Sequence, residues 1–381
     1  ICLLIKQLLG VELMREKERQ ILQLIKENPF IQQQELAKRT GLSRPAVANY
    51  ISSLMKKGEI IGRAYILKEE GTILCIGGAN VDKKIVFREK MEWHTSNPVR
   101  SFKAMGGVAR NVAENLGRLG VKAQLLTAVG EDSDAKWLLE GSAQWMDPSI
   151  SITIPSANTG TYTAILDQDG ELVLALADMD LYDSIQFSMI LERWNFIRAA
   201  SLVFMDTNFP KDVLSAVIEK CRNERIRLAV NLVSVPKARK LPDRLEGVEL
   251  ILANRDEVAA AAGVATGDWR RAAGLLMERG ASAVLVTKGK EGLSYFSDRD
   301  GCGNLPALIT AVSDVTGAGD ALAAGVLFGL HFGMDLKNAC QFGQVCSHIT
   351  LQSDESVSAL LNRKRAEELF RRWKDGKTLK E

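Results

Sequence analysis

The segment DVTGAGDALAAG, residues 314–325, places an acidic residue directly after a run of very small ones. We expect Gly317, Ala318 and Gly319 to open a helix that runs to about Phe332. The N-terminus of a helix leaves backbone N–H groups unpaired and carries a positive partial charge. Glycines allow that backbone to approach a ligand closely. The three residues therefore predict a cradle for an anion such as a phosphoryl group.

Asp320 falls in the first turn of this helix, beside the cradle. A carboxylate in that position is suited to accept the proton of a hydroxyl that attacks the phosphoryl group. An acidic residue in a first turn also stabilises the helix dipole with no catalytic role, so the motif alone leaves both interpretations open. The sequence has no GxxxxGK[ST] segment, which argues against a P-loop enzyme.

The elements that must position these residues begin at about Thr72, where short apolar segments start to alternate with helical ones. This alternation predicts an α/β domain over residues 72–381, with a mostly parallel sheet flanked by helices. Two stretches interrupt it, 83–100 and 150–175, and the second contains an Asp169-Gly170 hairpin turn. We expect both to form a small β lid over the carboxyl edge of the sheet, where open α/β sheets bind ligands.

Residues 14–71 have a different pattern, which predicts three helices followed by a two-stranded wing. We expect Ser43 to cap the third helix. The apolar stripe of that helix is predicted to contain Val47, Ile51, Leu54 and Met55. This order of helices, glycine turn and wing resembles a winged helix-turn-helix DNA-binding domain. The residues expected to contact DNA are Arg44, Asn49, Lys56 and Arg63, with Lys57 beside them. A helical packing or dimerisation module is the alternative.

The composition of the chain bears on nucleic-acid binding, zinc sites and membrane spans. The chain has 381 residues, 46% of them hydrophobic, and a formal net charge of +2, which gives no whole-chain argument for nucleic acid. Six scattered cysteines without a CxxC pair and only three histidines argue against a zinc site and indicate reduced thiols in the cytoplasm. Residues 1–13 are apolar but too short to span a bilayer. We interpret them as an extension upstream of Met14 or as a packing helix.

The two glycine motifs together carry a family resemblance. Asp314 to Asp320 matches the C-terminal signature of the ribokinase-like, or PfkB, carbohydrate and nucleoside kinases, and GGVARN, from Gly106 to Asn111, resembles their N-terminal signature. The resemblance covers about residues 72–375. It implies an ATP-dependent kinase with a β lid, with Mg²⁺ as cofactor and a K⁺ site near Asp314 and Thr316.

The resemblance also implies roles for individual residues. It makes Asp320 the catalytic base, with the backbone of Gly317, Ala318 and Gly319 as the anion hole. The implied sugar contacts are Asp82, Asn80, Gly106, Gly107 and Asn111. The implied ATP contacts are Asn231, Asn254, Thr287, Gly289, Gly317 and Gly319. Asn254 and Glu257 are similar to the family's Asn-x-x-Glu pair, which is linked to magnesium and phosphate.

Each of these residues also has a structural interpretation. Asp82 would cap a turn, and Asn111 would be a buried amide satisfied within its own helix. Asn254 and Glu257 would form an N-cap and a first-turn acid. Asn231 would simply end a strand.

The acceptor substrate is less sharply defined. TSNPV at 95–99 and VSVPKA at 233–238 look like segments of the pseudouridine kinases within the family, whose nucleoside substrate is phosphorylated on its 5′-hydroxyl. The lid residues Ser96, Asn97 and Thr161 would then lie near the base, with Asn97 as a donor and acceptor for a uracil edge. A plain turn at Asn97 is the alternative. Another nucleoside, such as inosine or cytidine, and a free sugar such as ribose remain open.

Two classes of function follow. The first is a pseudouridine kinase with a DNA-binding module attached, and the second is a transcription regulator that uses the kinase fold as a nucleoside sensor. An intact base at Asp320 favours the kinase. We expect a homodimer, because winged helix-turn-helix domains pair on DNA and many members of the family dimerise through the lid.

Overall fold

The computed structural model describes residues 16–25, 31–57, 59–60, 71–308 and 315–375. They form two compact units. The first contains the described residues up to 60 together with Arg193–Ala200, and the second contains Gly71–Glu192 and the described residues from Ser201 onward. None of the helices described is both long and apolar enough to cross a membrane.

The first unit begins with three helices. They are α1 (16–25), α2 (Gln33–Thr40) and α3 (Arg44–Lys56). Gly41 ends α2 in the left-handed region at φ 68°, and the Ser43 side chain caps α3 by accepting the Ala46 N–H at 3.3 Å. The apolar core holds Ile21, Ile25, Ile31, Leu36, Val47, Ile51, Leu54 and Ile60. The predicted glycine turn before α3 and the Ser43 cap of that helix are therefore present.

One member of the predicted α3 stripe is wrong. Val47, Ile51 and Leu54 are buried, but Met55 is 47% exposed, because it lies one position past Leu54 and turns away from the core. Arg44, Asn49, Lys56 and Lys57 are exposed as expected. Arg63 and the predicted wing lie outside the described residues.

A large eight-stranded sheet forms the centre of the second unit. Its order from edge to edge is β14 (Gly301–Leu305), β13 (Leu293–Ser297), β12 (Ala283–Thr287), β11 (Val248–Asn254), β10 (Leu228–Asn231), β9 (Leu202–Asp206), β1 (Ile73–Ile76) and β4 (Ala123–Leu126). All pairings from β4 to β12 are parallel, and the last two are antiparallel. The parallel strands are almost wholly buried, as expected for a sheet covered on both faces.

The helices of the second unit connect the strands of this sheet and cover its faces. They are α4 (Val108–Arg118), α5 (Ser133–Ser142), α6 (Phe187–Leu191), α8 (Lys211–Glu224), α9 (Val235–Ala238), α10 (Arg255–Ala262), α11 (Trp269–Glu278), α12 (Ala318–His331), α13 (Leu336–Thr350) and α14 (Arg363–Lys374). Helix α7 (Trp194–Ala199) belongs to the first unit. Helices α12 and α13 pack closely, because a Cβ on Gly325 would lie 2.7 Å from the Gly343 Cα.

A second sheet of four strands forms the lid. Its order is β3 (Val99–Gly106), β2 (Asn80–Phe87), β7 (Thr161–Leu166) and β8 (Leu172–Asp178). Gly170 turns between β7 and β8 at φ 88°, as the hairpin pattern predicted. Strand β2 begins before the predicted lid segment 83–100, and β3 ends after it. The first residues of the other predicted lid segment, 150–175, do not join this sheet. There, β6 (Ile152–Thr153) pairs with β5 (Ala128–Val129) instead.

Candidate active site

Asp320 lies where two distant motifs meet. The Asn111 Nδ2 group donates to the Asp320 Oδ2 atom at 2.9 Å, although 209 positions separate the two residues. Burial of the carboxyl raises the pKa of Asp320 to about 7, with further increases from the charges of Asp206 and Asp82. The Asn111 bond and the charge of Arg110 act in the opposite direction. A carboxyl poised near neutrality is suited to accept a proton.

The predicted anion cradle lies at the start of α12. Gly317 takes φ 75° at the N-cap, and a Cβ there would lie 1.8 Å from the Ser356 carbonyl oxygen. Only glycine fits that position without moving the backbone. Gly319 differs, since a Cβ there would meet nothing within 4 Å. The backbone at Gly319 is therefore open to the cleft, as a phosphate cradle requires.

Asp82 projects from lid strand β2 toward the same region. It accepts from Asn80 Nδ2 at 2.6 Å, and burial raises its pKa. A Cβ on Gly106 would lie 2.2 Å from Asp82 Oδ2, so the glycine opposite leaves room for the carboxylate. Gly107 has a packing reason of its own, because its Cβ would lie 2.5 Å from Ala79 Cα. Both glycines are therefore needed because a side chain at either position would clash with its neighbours.

A buried carboxylate that we did not predict stands at the centre of the sheet edge. Asp206 ends β9 and is fully buried. Its Oδ2 accepts from the N–H groups of Gly78 and Ala109 at 2.9 and 3.0 Å, and its Oδ1 accepts from the N–H and Nδ2 of Asn208 at 2.9 and 2.7 Å. It joins the loop after β1, the start of α4 and the loop after β9 at the carboxyl edge of the sheet. The available signal was an aspartate at the end of the apolar segment SLVFMD.

The part of the cleft that the sequence assigned to the nucleotide is lined by residues of β10, β11, β12 and the start of α12. Asn231, Asn254, Glu257, Thr287 and Gly319 line one pocket with Asp320. The structure thus brings together five of the residues that the sequence assigned to ATP or metal. Gly289 lies in the turn that follows β12, at φ 56°.

Asn254 and Glu257 form a capping box at the start of α10. The Asn254 Oδ1 atom accepts from the N–H of Asp256 at 3.0 Å and of Glu257 at 2.9 Å, and Glu257 Oε2 accepts the Asn254 N–H at 2.8 Å. The structural interpretation of this pair is therefore correct. It does not exclude the functional one, since both residues line the cleft.

Glu257 has the chemistry for a magnesium ligand. It is buried, and burial raises its pKa to about 7, followed by the charge of Asp256. Mg²⁺ is typically held by one or two carboxylates together with substrate phosphates. Within the described ranges, no three His, Cys, Asp or Glu side chains are grouped to hold a metal by themselves. The residues thus fit an ion that arrives with a nucleotide. Asp314, near the implied K⁺ site, lies outside the described residues.

Asn97 has a local role in the turn that precedes β3. Its Oδ1 accepts the Glu92 N–H at 2.8 Å, and its Nδ2 donates to the carbonyls of Glu92 at 2.8 Å and Thr95 at 3.2 Å. The amide closes the 92–97 turn, so the structural interpretation of Asn97 is present in the structure, and its contact with a base stays a prediction. Thr161 pairs with Val81 in the lid.

The comparison with known proteins agrees with this geometry. Residues 71–362 match the pfkB family of carbohydrate kinases. The chain belongs to the PfkB family. It is therefore a phosphotransferase with an alcohol group as acceptor, in a family of ATP-dependent kinases. Residues 14–60 match the winged helix-turn-helix DNA-binding family, which confirms the predicted N-terminal module.

Relatives within the PfkB family cover most of the chain. A pseudouridine kinase of Escherichia coli K12 is 32% identical over 76% of this chain and 93% of its own length. The uncharacterized sugar kinase YeiI of the same organism is 29% identical over 89% and 94%. A solved carbohydrate kinase from Agrobacterium tumefaciens is 32% identical, covers 79% of this chain and 97% of its own, and superposes with a TM-score of 0.71. The predicted ribokinase-like α/β fold is confirmed.

Proposed function

We propose that this PfkB kinase transfers the γ-phosphoryl group of ATP to the 5′-hydroxyl of pseudouridine. The observation that carries the proposal is the Asn111–Asp320 hydrogen bond, which joins the two family signatures at one carboxyl. The 32% identity to a pseudouridine kinase supports the choice of nucleoside. Another nucleoside or ribose is the alternative acceptor.

The proposed chemistry is an in-line displacement. The acceptor hydroxyl oxygen bonds to the γ-phosphorus as the bond to the leaving ADP oxygen breaks, and the hydroxyl proton passes to Asp320. The N–H groups at the start of α12 stabilise the charge of the transferred group. Asp82, held by Asn80, binds ribose hydroxyls. Magnesium, held with the nucleotide by Glu257 and Asn254, would supply charge neutralisation at the phosphates.

The deciding experiment measures ATP consumption with pseudouridine, uridine, inosine, cytidine and ribose. It compares the wild type with Asp320→Asn, and uses Asp169→Asn, at the exposed lid turn, as the matched control. We expect turnover with pseudouridine that the control retains and Asp320→Asn loses. Turnover with a different acceptor would keep the mechanism and replace the substrate. No turnover with any acceptor, combined with tight nucleoside binding, would favour the sensor.

A second function rests on the winged helix-turn-helix match. We propose that α3 enters the major groove with Arg44, Asn49 and Lys56, and that Arg63 contacts the adjacent backbone. Fluorescence anisotropy of the full chain on duplex DNA tests this, with Arg44→Ala and Lys56→Ala against Arg39→Ala on α2. We expect affinity to fall in the first two variants and to decrease with salt. Equal losses of DNA affinity in all three variants would indicate binding through overall positive charge and not through α3. No binding to DNA would favour a helical packing module.

The kinase and DNA-binding proposals are compatible. If pseudouridine changes the affinity for DNA, DNA must change the affinity for pseudouridine by the same factor. A regulator of this kind would act where the chromosome and the ATP pool are, so a cytoplasmic location is part of the proposal.

We also propose that the lid is covered by a second copy of the chain. Leu172, Leu174 and Leu176 on edge strand β8 are 59%, 50% and 50% exposed, an apolar row unusual for a free surface. Light scattering on a Leu174→Glu, Leu176→Glu variant tests this against Leu360→Glu, which replaces an exposed leucine elsewhere. A dimer that only the lid variant dissociates supports the proposal. A monomeric wild type contradicts it.

A further inference from the structure

Arg110 is a buried cation one position before Asn111. It lies in the first turn of α4 and is only 4% exposed. Isolated buried charges are costly, so such residues are held by partners. Its place in the sequence indicated no role, although Arg110, Glu114 and Arg118 recur at four-residue spacing along α4.

Its guanidinium contacts four residues, and one of them, Met105, is contacted through both its carbonyl and its sulfur. The Nη1 atom donates to Asn111 Oδ1 at 3.1 Å and to the Met105 carbonyl at 3.3 Å. The Nη2 atom pairs with Glu114 Oε2, and the Nε atom donates to Ser142 Oγ at 3.4 Å. The side chain is therefore held in one orientation, with one fork of the guanidinium aimed at the Asn111 amide.

This contact decides which way the Asn111 amide points. A side-chain amide has an acceptor end and a donor end that can exchange by rotation. Arg110 engages the oxygen, and the nitrogen then faces Asp320 at 2.9 Å. In the reversed orientation, the amide oxygen would face a carboxylate and the amide N–H groups would face a guanidinium. Both contacts would be repulsive.

We propose that Arg110 is a positioning residue for phosphoryl transfer, which acts by fixing the Asn111 amide so that its Nδ2 group donates to Asp320. This inference rests on the proposed function. A lysine would keep the charge but lacks the planar fork that reaches Asn111 and Glu114 together.

The orientation of the Asn111 amide matters because several charged groups act on the Asp320 carboxyl. The groups that act on the Asp320 carboxyl are Asn111 and Arg110 from α4, Asp82 from β2 and Asp206 from β9. The two carboxylates raise the pKa of Asp320, and the α4 groups lower it. When Asn111 is misoriented, the carboxyl loses its donor, so the base protonates at a higher pH.

A double-mutant cycle with Arg110→Lys and Asn111→Ala tests the proposal. We expect Arg110→Lys to lower kcat by about tenfold, the scale of one hydrogen bond to a charged group, and to move the acid limb of the kcat profile to higher pH. In the Asn111→Ala background, Arg110→Lys should have no further effect. Arg118→Lys is the matched control, because Arg118 also pairs with Glu114, at 2.7 Å. We expect its pH profile to equal that of the wild type.

Two outcomes would overturn the proposal. Additive effects of Arg110→Lys and Asn111→Ala would show that Arg110 does not act through the amide, and an equal shift in Arg118→Lys would indicate a general effect on α4. If Arg110→Lys does not fold, the double variant Arg110→Met, Glu114→Leu removes both buried charges and should show the same shifted limb. An unshifted limb in that variant rejects the idea.

The titration of Asp320 separates this inference from the proposed function. Carboxyl ¹³C NMR of the protein without substrate measures that titration whether or not any acceptor is phosphorylated. A kinase-inactive wild type would end the proposed function. The positioning role would still be supported if Arg110→Lys raised the Asp320 titration midpoint, and rejected if the midpoint stayed in place.

Discussion

Helices α12 and α10 both begin at the same cleft with a carboxylate in the first turn, yet their starts are built in opposite ways. At α10, Asn254 and Glu257 satisfy the terminal N–H groups themselves. At α12, a glycine in the left-handed region occupies the N-cap, and no described side chain caps the helix. The first start is closed by the side chains of its own residues, and the second has no side-chain cap.

The difference shows that a helix start with an acidic residue is not by itself a phosphate site. Both carboxyls have a pKa raised to about 7 by burial. Glu257 uses one oxygen to accept the backbone N–H of Asn254, while Asp320 accepts from the Asn111 amide of helix α4. We therefore expect Asp320 to govern chemistry and Glu257 to govern the nucleotide and its metal.

The largest expected effect compares the two carboxyls directly. Asp320→Asn should lower kcat by about 10³-fold, within the range for loss of a general base, and Glu257→Gln should chiefly raise the KM for MgATP. The wild-type kcat should fall as pH decreases through about 7, because the base must be ionised. The pH profile of Glu257→Gln provides the check. If its acid limb disappears, Glu257 and not Asp320 is the group that titrates.

Two glycine variants should separate folding from catalysis at the start of α12. Gly319→Ala should fold normally and lower kcat/KM by about 10²-fold, because a Cβ in the open cleft displaces the phosphoryl group by about 1 Å. Gly317→Ala should unfold at a much lower temperature, because of its φ of 75° and the clash with Ser356. Thermal melts and steady-state kinetics measure both. Normal kinetics in Gly319→Ala would remove the cradle from the mechanism.

The capping box should matter to stability and to nucleotide alike. Asn254→Ala should cost about 1 kcal/mol in urea denaturation, as for loss of an N-cap, and should also raise the KM for MgATP. Asn362→Ala is the control, because Asn362 caps α14 by accepting the Arg365 N–H at 3.0 Å. Its stability loss should be similar and its KM unchanged. Equal KM values for MgATP in the two variants would show that Asn254 acts only as a helix cap.

The smallest effect concerns stability and pH. Asp320 has a folded pKa of about 7 against 3.8 when unfolded, so between these values the folded chain binds a proton that the unfolded chain lacks. Wild-type stability should therefore fall as pH rises through this window. Asp320→Asn does not titrate, and should melt about 2 °C higher than the wild type at pH 8. The difference should vanish below pH 4, and a constant difference across pH would point to packing.

Several residues of the candidate site could be predicted because their sequence signals are local. Gly317 to Asp320, Gly106 to Asn111 and Asn254 to Glu257 each combine turn, helix start and side chain within a few positions. Asn97 marks the limit of such local signals, because a short polar turn has the same sequence pattern whether it binds a base or its own backbone.

The sequence by itself determined the helix starts, the alternating apolar strands, the two-module organisation and the family, because each rests on short-range periodicity and turn chemistry. Only the tertiary structure decided how the chemistry is assembled. Asp206 gathers the N–H groups of Gly78 and Ala109, and Arg110 sets the amide that meets Asp320. These contacts span more than 90 positions in three of the four cases, and they exist only because parallel strands bring their carboxyl ends to one edge.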